Sequence, residues 1–188
     1  IPLRLVGSEM CIRDRAYFRF GNMDKAVELL GQLTEEYPSN PFYEELNGQI
    51  FLKFGQTQKA LKSLKKSVKL MPDSPLLRSA LADVQIQINK PEYLKEAIIH
   101  LEYSLLAERN NSRMWRQLGI AYGRLGDLGK SWQALSEESF IRGQYQDALR
   151  HAKRAQRKLK AGSSSWLRAE DISLASQRHL DCLLYTSD

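Results

Sequence analysis

Cysteine is nearly absent from this sequence, and the two that occur are Cys11 and Cys182, one near each end. The residues between them therefore offer no disulfide framework, no thiolate metal site and no cysteine nucleophile. Long apolar runs are also missing, since no stretch approaches the roughly 18 to 20 residues that a membrane span needs. The sequence contains neither the G-x-x-x-x-G-K-[ST] phosphate loop nor the G-x-S-x-G nucleophile elbow.

Histidine is scarce as well, and its three copies, His100, His151 and His179, are widely separated in the sequence. None of them belongs to an H-E-x-x-H zinc helix, and none has a second metal ligand four residues later. Isolated histidines on helices more often pack or face solvent than bind metal. We therefore predict no catalytic residue, no metal site and no cofactor in this chain.

The charge balance is modestly basic, with 28 Lys and Arg against 22 Asp and Glu and a formal net charge of +6. A composition of 43% hydrophobic and 27% charged residues is typical of a soluble globular chain. The densest basic run lies in residues 153–160 and fits a nucleic-acid footprint or the solvated C-terminal end of a helix. Because no aromatic residue is interleaved there for base stacking, we favour the helix end and predict no nucleic-acid partner.

Both ends of the sequence are predicted to be foreign to the fold. One DNA stretch, read on opposite strands, can encode both Met10–Asp14 and Cys182–Thr186, as a translated sequencing adapter would. We therefore predict adapter-derived residues at 1–14 and in most of the tail at 179–188, with a repeat domain at 15–178. On this interpretation the chain starts within a helix and lacks its natural N-terminus.

The informative positive feature is a spacing of about 34 residues between matching anchors, which is the period of the tetratricopeptide repeat. Three anchors recur at that spacing, in the pairs Gly21 and Gly55, Ala26 and Ala60, Pro38 and Pro72. Small and aromatic anchors at this period are typical of that repeat, a helix-turn-helix unit. Apolar residues at i, i+3, i+4 and i+7 support helices. We predict an all-α solenoid of antiparallel helix pairs with about nine to ten helices.

The spacing loosens after the second unit. Ala97 follows Ala60 by more than one period, which indicates a short insertion before Ala97. Gly143 follows Gly126 by only half a period, so we predict that the helix between them closes one unit and opens the next. A last helix over about 166–178 is predicted to cap the array.

Two segments carry a more specific resemblance. The fourth unit has the W-x2-L-G-x2-Y pattern with a turn glycine, at Trp115, Leu118, Gly119, Tyr122 and Gly126. Residues 38–50 read P-x-N-P-F-x-x-E-L-x-G-Q-I. Together with the helix that starts near Tyr145, they resemble the C-terminal tetratricopeptide-repeat region of bacterial zinc metalloproteases of peptidase family M forty-eight, of the β-barrel assembly-enhancing protease type.

This resemblance covers nearly all of residues 16–178 and implies a larger parent protein. The parent would carry an N-terminal zinc protease domain with H-E-x-x-H and would act in envelope protein quality control in the periplasm. The repeat region would be its non-catalytic protein-interaction domain, with proteins, peptides and the parent's own protease domain as partners. Zinc would belong to the parent alone. The alternative is a free-standing tetratricopeptide-repeat adaptor or scaffold.

The first helix of each pair is expected to line the partner groove. Counting by the period gives eight groove candidates, namely Glu45, Gln49, Lys53, Asp83, Arg113, Arg116, Ile120 and Arg124. The three arginines lie at i, i+3 and i+11 on one face of one helix, where they could bind carboxylates bidentately. Ordinary solvated charge is the alternative explanation.

Overall fold

A computed structural model describes the backbone of residues 23–185 and the side chains of residues 27–182. The predicted first helix through Phe20, the predicted adapter residues 1–14 and the last three residues lie outside this range. The described residues form helices and no strand, and none of these helices is long and apolar enough to cross a bilayer. The helices are α1 (Met23–Glu36), α2 (Pro41–Lys53), α3 (Thr57–Leu70), α4 (Pro75–Ile88), α5 (Pro91–Ala107), α6 (Ser112–Arg124), α7 (Leu128–Ile141), α8 (Tyr145–Gln156) and α9 (Ser164–Tyr185).

The helices are distributed over two compact units, which divide within α4 after Val84. In the first unit α2 packs against α3 and α1 packs against α2. Leu30, Leu46 and Ile50 form a buried cluster between α1 and α2. Complete burial of an aliphatic side chain of this size contributes about 1.5–3 kcal/mol, so a few such residues hold α1 on the pair.

Close approach of α2 and α3 depends on Gly48. A Cβ added at Gly48 would lie 2.4 Å from Cγ of Leu64, so α3 occupies the space that any side chain at position 48 would need. Ala60 is completely buried at the same helix contact. The hydroxyl of Ser67 donates to the carbonyl oxygen of Pro41 at 2.7 Å, which ties the end of α3 to the start of α2. Gly48 and Ala60 are therefore the close-contact residues of this helix pair.

The turn between the paired helices has one repeated backbone geometry. At Gly55 (φ 73°) the amide of Gln56 donates to the carbonyl of Phe51 at 2.8 Å, which is the Schellman arrangement that ends a helix. Gly126 and Gly143 also have positive φ, and the amide that follows each of them likewise donates to the carbonyl five residues before it. Glycine occupies such a left-handed position without the steric cost of a Cβ.

The residues inserted into the third sequence repeat lengthen α5. Asn89 has a φ of 58° and follows the turn residue Gly55 by one regular period, whereas the next step, from Asn89 to Gly126, is longer. The extra residues therefore lie between Asn89 and Gly126, and α5 has 17 residues where α3 has 14. Asparagine tolerates the left-handed conformation better than most residues, so the turn keeps its geometry without glycine.

In the second unit each helix from α5 to α9 packs against the next one in the chain, and α9 also packs against α7. Helix α7 contacts both α6 and α8, and the turns at its two ends, at Gly126 and Gly143, have the same geometry, as expected of a helix that closes one pair and opens the next. Ala148, Ala152 and Ile172 form a buried cluster between α8 and α9, with Phe140 of α7 packed against it. Small alanines allow these helices to approach closely.

The last helix is longer than the sequence predicts. The expected range is about 166–178, after a loop at 162–165, but α9 runs from Ser164 to Tyr185. The hydroxyl of Ser163 accepts a hydrogen bond from the amide of Trp166 at 3.3 Å, so the helix starts inside the predicted serine loop. Ile172, Ser173 and Ser176 continue the buried side of α9 along its length. The all-α fold of antiparallel, tetratricopeptide-type helix pairs is confirmed.

Gly48→Ala should lower the free energy of unfolding by about 1–3 kcal/mol, because its methyl group would overlap Leu64. Gly31→Ala is the matched control, since none of the described residues lies within 4 Å of a Cβ at that helical glycine and alanine is the better helix former by about 1 kcal/mol. Urea unfolding followed by circular dichroism measures both. Equal effects of the two substitutions would contradict the close contact.

Candidate partner-binding site

Helix α6 presents one polar, solvent-facing side. The Oδ1 atom of Asn111 accepts a hydrogen bond from the amide of Met114 at 3.2 Å and thereby caps the start of the helix. Met114, Leu118 and Ala121 are buried, so α6 is held against its neighbours along that side. The opposite side carries four exposed residues, the arginine face: Arg113, Arg116, Ile120 and Arg124.

The arginine face is ordered at one end. Nη1 of Arg124 donates to the backbone carbonyl of Ile86, in the part of α4 that belongs to the second unit. Arg113 and Arg116 are exposed one helical turn apart, and Ile120 adds an apolar side chain that is 37% exposed. The structure therefore brings four of the eight predicted groove residues onto one helix side.

The other four predicted groove residues lie in the first unit. Gln49 and Lys53 are exposed on α2, and Asp83 is half-buried on α4. Glu45 is only 7% exposed, and its Oε1 accepts a hydrogen bond from the side-chain amide of Gln49. Glu45 is therefore not available to a partner as the repeat period predicts, whereas Gln49 and Lys53 are exposed.

A pocket of about 1000 Å³ lies on the other side of α6, within the second unit. Its lining comes from α5, the loop that follows it, α6, α7 and the start of α9, and includes Leu105, Leu106, Trp115, Leu118, Tyr122 and Phe140. At 3.6 residues per turn, Trp115 and Tyr122 point away from the arginine face. One helix thus separates two surfaces of different chemistry.

An ion pair between a buried carboxylate and a half-exposed arginine forms one wall of this pocket. Glu137 of α7 is 3% exposed, and its two carboxylate oxygens accept from Nε and Nη2 of Arg168 at 2.5 and 2.9 Å. The side-chain amide of Gln133 also donates to Glu137, at 3.3 Å. This bidentate contact satisfies the buried carboxylate and fixes the start of α9 against α7.

The facing wall is fixed by Tyr122. Its hydroxyl donates to Oε1 of Glu102 at 2.5 Å, and Nζ of Lys130 lies 5.0 Å from the centre of its ring. Burial, followed by the hydrogen bond to Glu102, raises the pKa of Tyr122 well above its ordinary value. The indole Nε1 of Trp115 donates to the carbonyl oxygen of Arg109 at 2.7 Å. The aromatic residues of the pocket are therefore held in defined orientations.

The repeat motif identifies Trp115, Leu118 and Tyr122, but it does not predict a pocket beside them. It gave no signal for Glu137 and Arg168, which are 31 residues apart and meet only because α9 returns to α7. Within residues 27–182, no group of three His, Cys, Asp or Glu side chains is arranged to hold a metal ion. The arrangement is suited to binding.

Comparison with known proteins supports the fold. A tetratricopeptide-repeat family pattern matches residues 15–40, and no curated protein matches the sequence. MamA of Desulfovibrio magneticus RS-1, solved from position 41 to its end, is 17% identical with a TM-score of 0.67, and the match covers 95% of this chain and 93% of that one. TTC0263, a thermophilic tetratricopeptide-repeat protein of Thermus thermophilus, is 18% identical with a TM-score of 0.56 over 89% and 98% of the two chains.

Tyr122→Phe should lower the free energy of unfolding by about 1 kcal/mol at pH 7, because it removes the hydrogen bond to Glu102. The raised pKa means that the folded protein keeps the Tyr122 proton above pH 10, where the unfolded chain releases it. Wild-type stability therefore falls as pH rises through about 10, and the phenylalanine variant lacks this contribution. Urea unfolding should show a smaller stability difference between the wild type and Tyr122→Phe at pH 10.5 than at pH 7. An equal difference at the two pH values would contradict this explanation.

Proposed function

We propose that this chain is a non-catalytic protein-interaction domain that binds an acidic segment of a partner through the arginine face of α6. The supporting observation is the alignment of Arg113, Arg116 and Arg124 around the exposed Ile120. Stacked helical repeats provide extended surfaces for protein partners, so the fold suits this role.

The physical chemistry of the arginine face favours carboxylates. A guanidinium group donates two parallel hydrogen bonds to one carboxylate, and it is more weakly hydrated than a lysine ammonium group. Ile120 would exclude water beside such contacts, which strengthens them. Arg124 loses little conformational freedom on binding because its Nη1 is already hydrogen-bonded to Ile86. The net charge of +6 would speed the approach of an acidic segment at low salt.

For the parent protein, we propose a periplasmic zinc metalloprotease of peptidase family M forty-eight that acts in envelope quality control. The support is the P-x-N-P-F-x-x-E-L-x-G-Q-I phrase of residues 38–50. Several of its residues also have local structural roles: Asn40 caps α2, Pro41 occupies the first turn, and Gly48 meets Leu64. In this parent the zinc and the peptide-bond hydrolysis belong to the protease domain, and that domain is itself a partner of the repeats.

A free-standing adaptor or scaffold is the second candidate. The observation that favours it is the extent of the structural matches, which span 93% of the MamA chain and 98% of the TTC0263 chain. Each of these two solved chains therefore consists largely of this fold, without a protease domain. The arginine face would serve the same purpose in either case.

The DNA upstream of the codon for Ala16 distinguishes these two candidates. The protease proposal predicts a continuous reading frame that encodes a signal peptide and an H-E-x-x-H helix. Sequencing across this junction in the source genome is the measurement. A start codon close to Ala16, with no such motif in frame, would contradict the protease parent and favour the scaffold.

The arginine face itself is tested with a fluorescein-labelled deca-glutamate peptide and fluorescence anisotropy. The Arg116→Glu/Arg124→Glu variant should bind it at least about tenfold more weakly at low salt, because two bidentate contacts are lost and replaced by repulsion. The matched control is Lys153→Glu/Arg157→Glu, which makes the same charge change at two exposed positions elsewhere.

Circular dichroism verifies that both double variants are folded, and Arg116→Glu alone provides the test if the loss of Arg124 unfolds the protein. Equal affinity of the wild type and the arginine-face variants would remove the proposal. So would an equal loss in the control, since binding would then depend on net charge and not on this surface.

A further inference from the structure

The pocket beside Tyr122 has the properties of a binding site. Its volume of about 1000 Å³ is at the upper end of the range for ligand pockets, and its lining combines seven apolar or aromatic residues with nine polar or charged ones. The polar groups in its walls are fixed in place by the Glu137–Arg168 and Tyr122–Glu102 contacts. A ligand would therefore meet preorganised walls, and little free energy would be lost in ordering them.

The charged groups that line the pocket differ in whether they already have a partner. Its two carboxylates, Glu102 and Glu137, both have hydrogen-bond donors of their own within the pocket. Two further cations, Arg109 and Lys130, line the pocket, and neither forms an ion pair among residues 27–182. The pocket thus has a local excess of positive charge, which is complementary to a ligand carboxylate.

Apolar surface continues from the pocket to its edge. Leu106 lines the pocket and is nevertheless 72% exposed, beside the buried Leu105. A single exposed leucine is ordinary on a protein surface. Trp115 and Phe140 also line this pocket, so apolar groups are available there to a ligand side chain.

We propose that this pocket is a second partner site, which binds a peptide segment carrying an apolar side chain flanked by carboxylates. The apolar side chain occupies the space between Leu106, Trp115 and Phe140, and a flanking carboxylate meets Arg109 or Lys130. The site lies on the opposite side of α6 from the arginine face, so the two surfaces can be occupied independently. The inference does not depend on the arginine face being functional.

The test uses the full chain and the blocked hexapeptide acetyl-Glu-Glu-Leu-Phe-Glu-Glu-amide. The indole N–H signal of Trp115 in a ¹⁵N-correlated NMR spectrum, assigned with Trp115→Phe, reports on the pocket. The methyl signal of Ile120 reports on the arginine face. The peptide should shift the Trp115 signal in a saturable manner. Two comparison peptides, with Ser-Ser in place of Leu-Phe or with Lys in place of Glu, should bind at least tenfold more weakly.

Leu106→Asp provides the matched variant. Because Leu106 is largely exposed, the protein should tolerate aspartate there, but the new carboxylate faces the incoming peptide and should weaken binding at least tenfold. Ile99→Asp is its control, since Ile99 lies on the same helix, is 62% exposed and does not line the pocket. Arg109→Glu/Lys130→Glu should weaken binding in the same way as Leu106→Asp.

Three results would overturn the pocket proposal. The first is the absence of any saturable Trp115 shift with the Leu-Phe peptide, and the second is equal binding of the Ser-Ser peptide. The third is a shift of Ile120 without a shift of Trp115, which would leave the arginine face supported and the pocket not. A Trp115 shift without an Ile120 shift would instead support the pocket while leaving the arginine face to its own test.

Discussion

The close approach of paired helices at a glycine is the constraint on which the fold depends. Gly48 meets Leu64 in the first unit, and Gly119 meets Leu135 in the second, with a Cβ at Gly119 placed 2.9 Å from the leucine Cγ. Gly119 follows Gly48 by the same number of residues as Leu135 follows Leu64. Both spacings include the longer step between Asn89 and Gly126. The inserted residues therefore fall between these helix pairs and leave the contact within each pair unchanged. The pair, and not the period, is the constant structural unit of this chain.

The binding surfaces follow from this constraint. Because one side of α6 must pack closely on α7, its other exposed side is free to carry Arg113, Arg116 and Ile120. The half-period step then places α7 in contact with both α6 and α8, and α9 returns to α7. Arg168 consequently reaches Glu137, and that ion pair completes one wall of the pocket. An irregular array thus contains a pocket that depends on the return of α9, which the repeat period alone does not predict.

Local chemistry made part of this structure predictable from the sequence. The spacing of the repeat anchors, the turn at Gly126 and the all-α helix pairs follow from the sequence, because turn glycines, prolines and apolar spacing act over short stretches of chain. The burial of Glu45 is not predictable in this way, because it depends on the tertiary packing around α2. The start of α9 differs from the prediction because its first turn is formed by serines that read as a loop, and its last residues lie in the tail that the sequence predicts to be foreign to the fold. The Glu137–Arg168 wall depends on tertiary packing between residues far apart in the chain, for which one sequence holds no signal.

A double-mutant cycle across the helix contact of the second unit tests the central constraint most directly. Gly119→Ala should destabilise the protein by about 1–3 kcal/mol because its methyl group overlaps Leu135. Adding Leu135→Ala removes the overlapping side chain, so the double variant should recover at least about 1 kcal/mol relative to the sum of the single effects. Urea unfolding of the four proteins gives this coupling energy. Single effects that add to within about 0.5 kcal/mol would show that the glycine does not act through this contact, and would contradict the account.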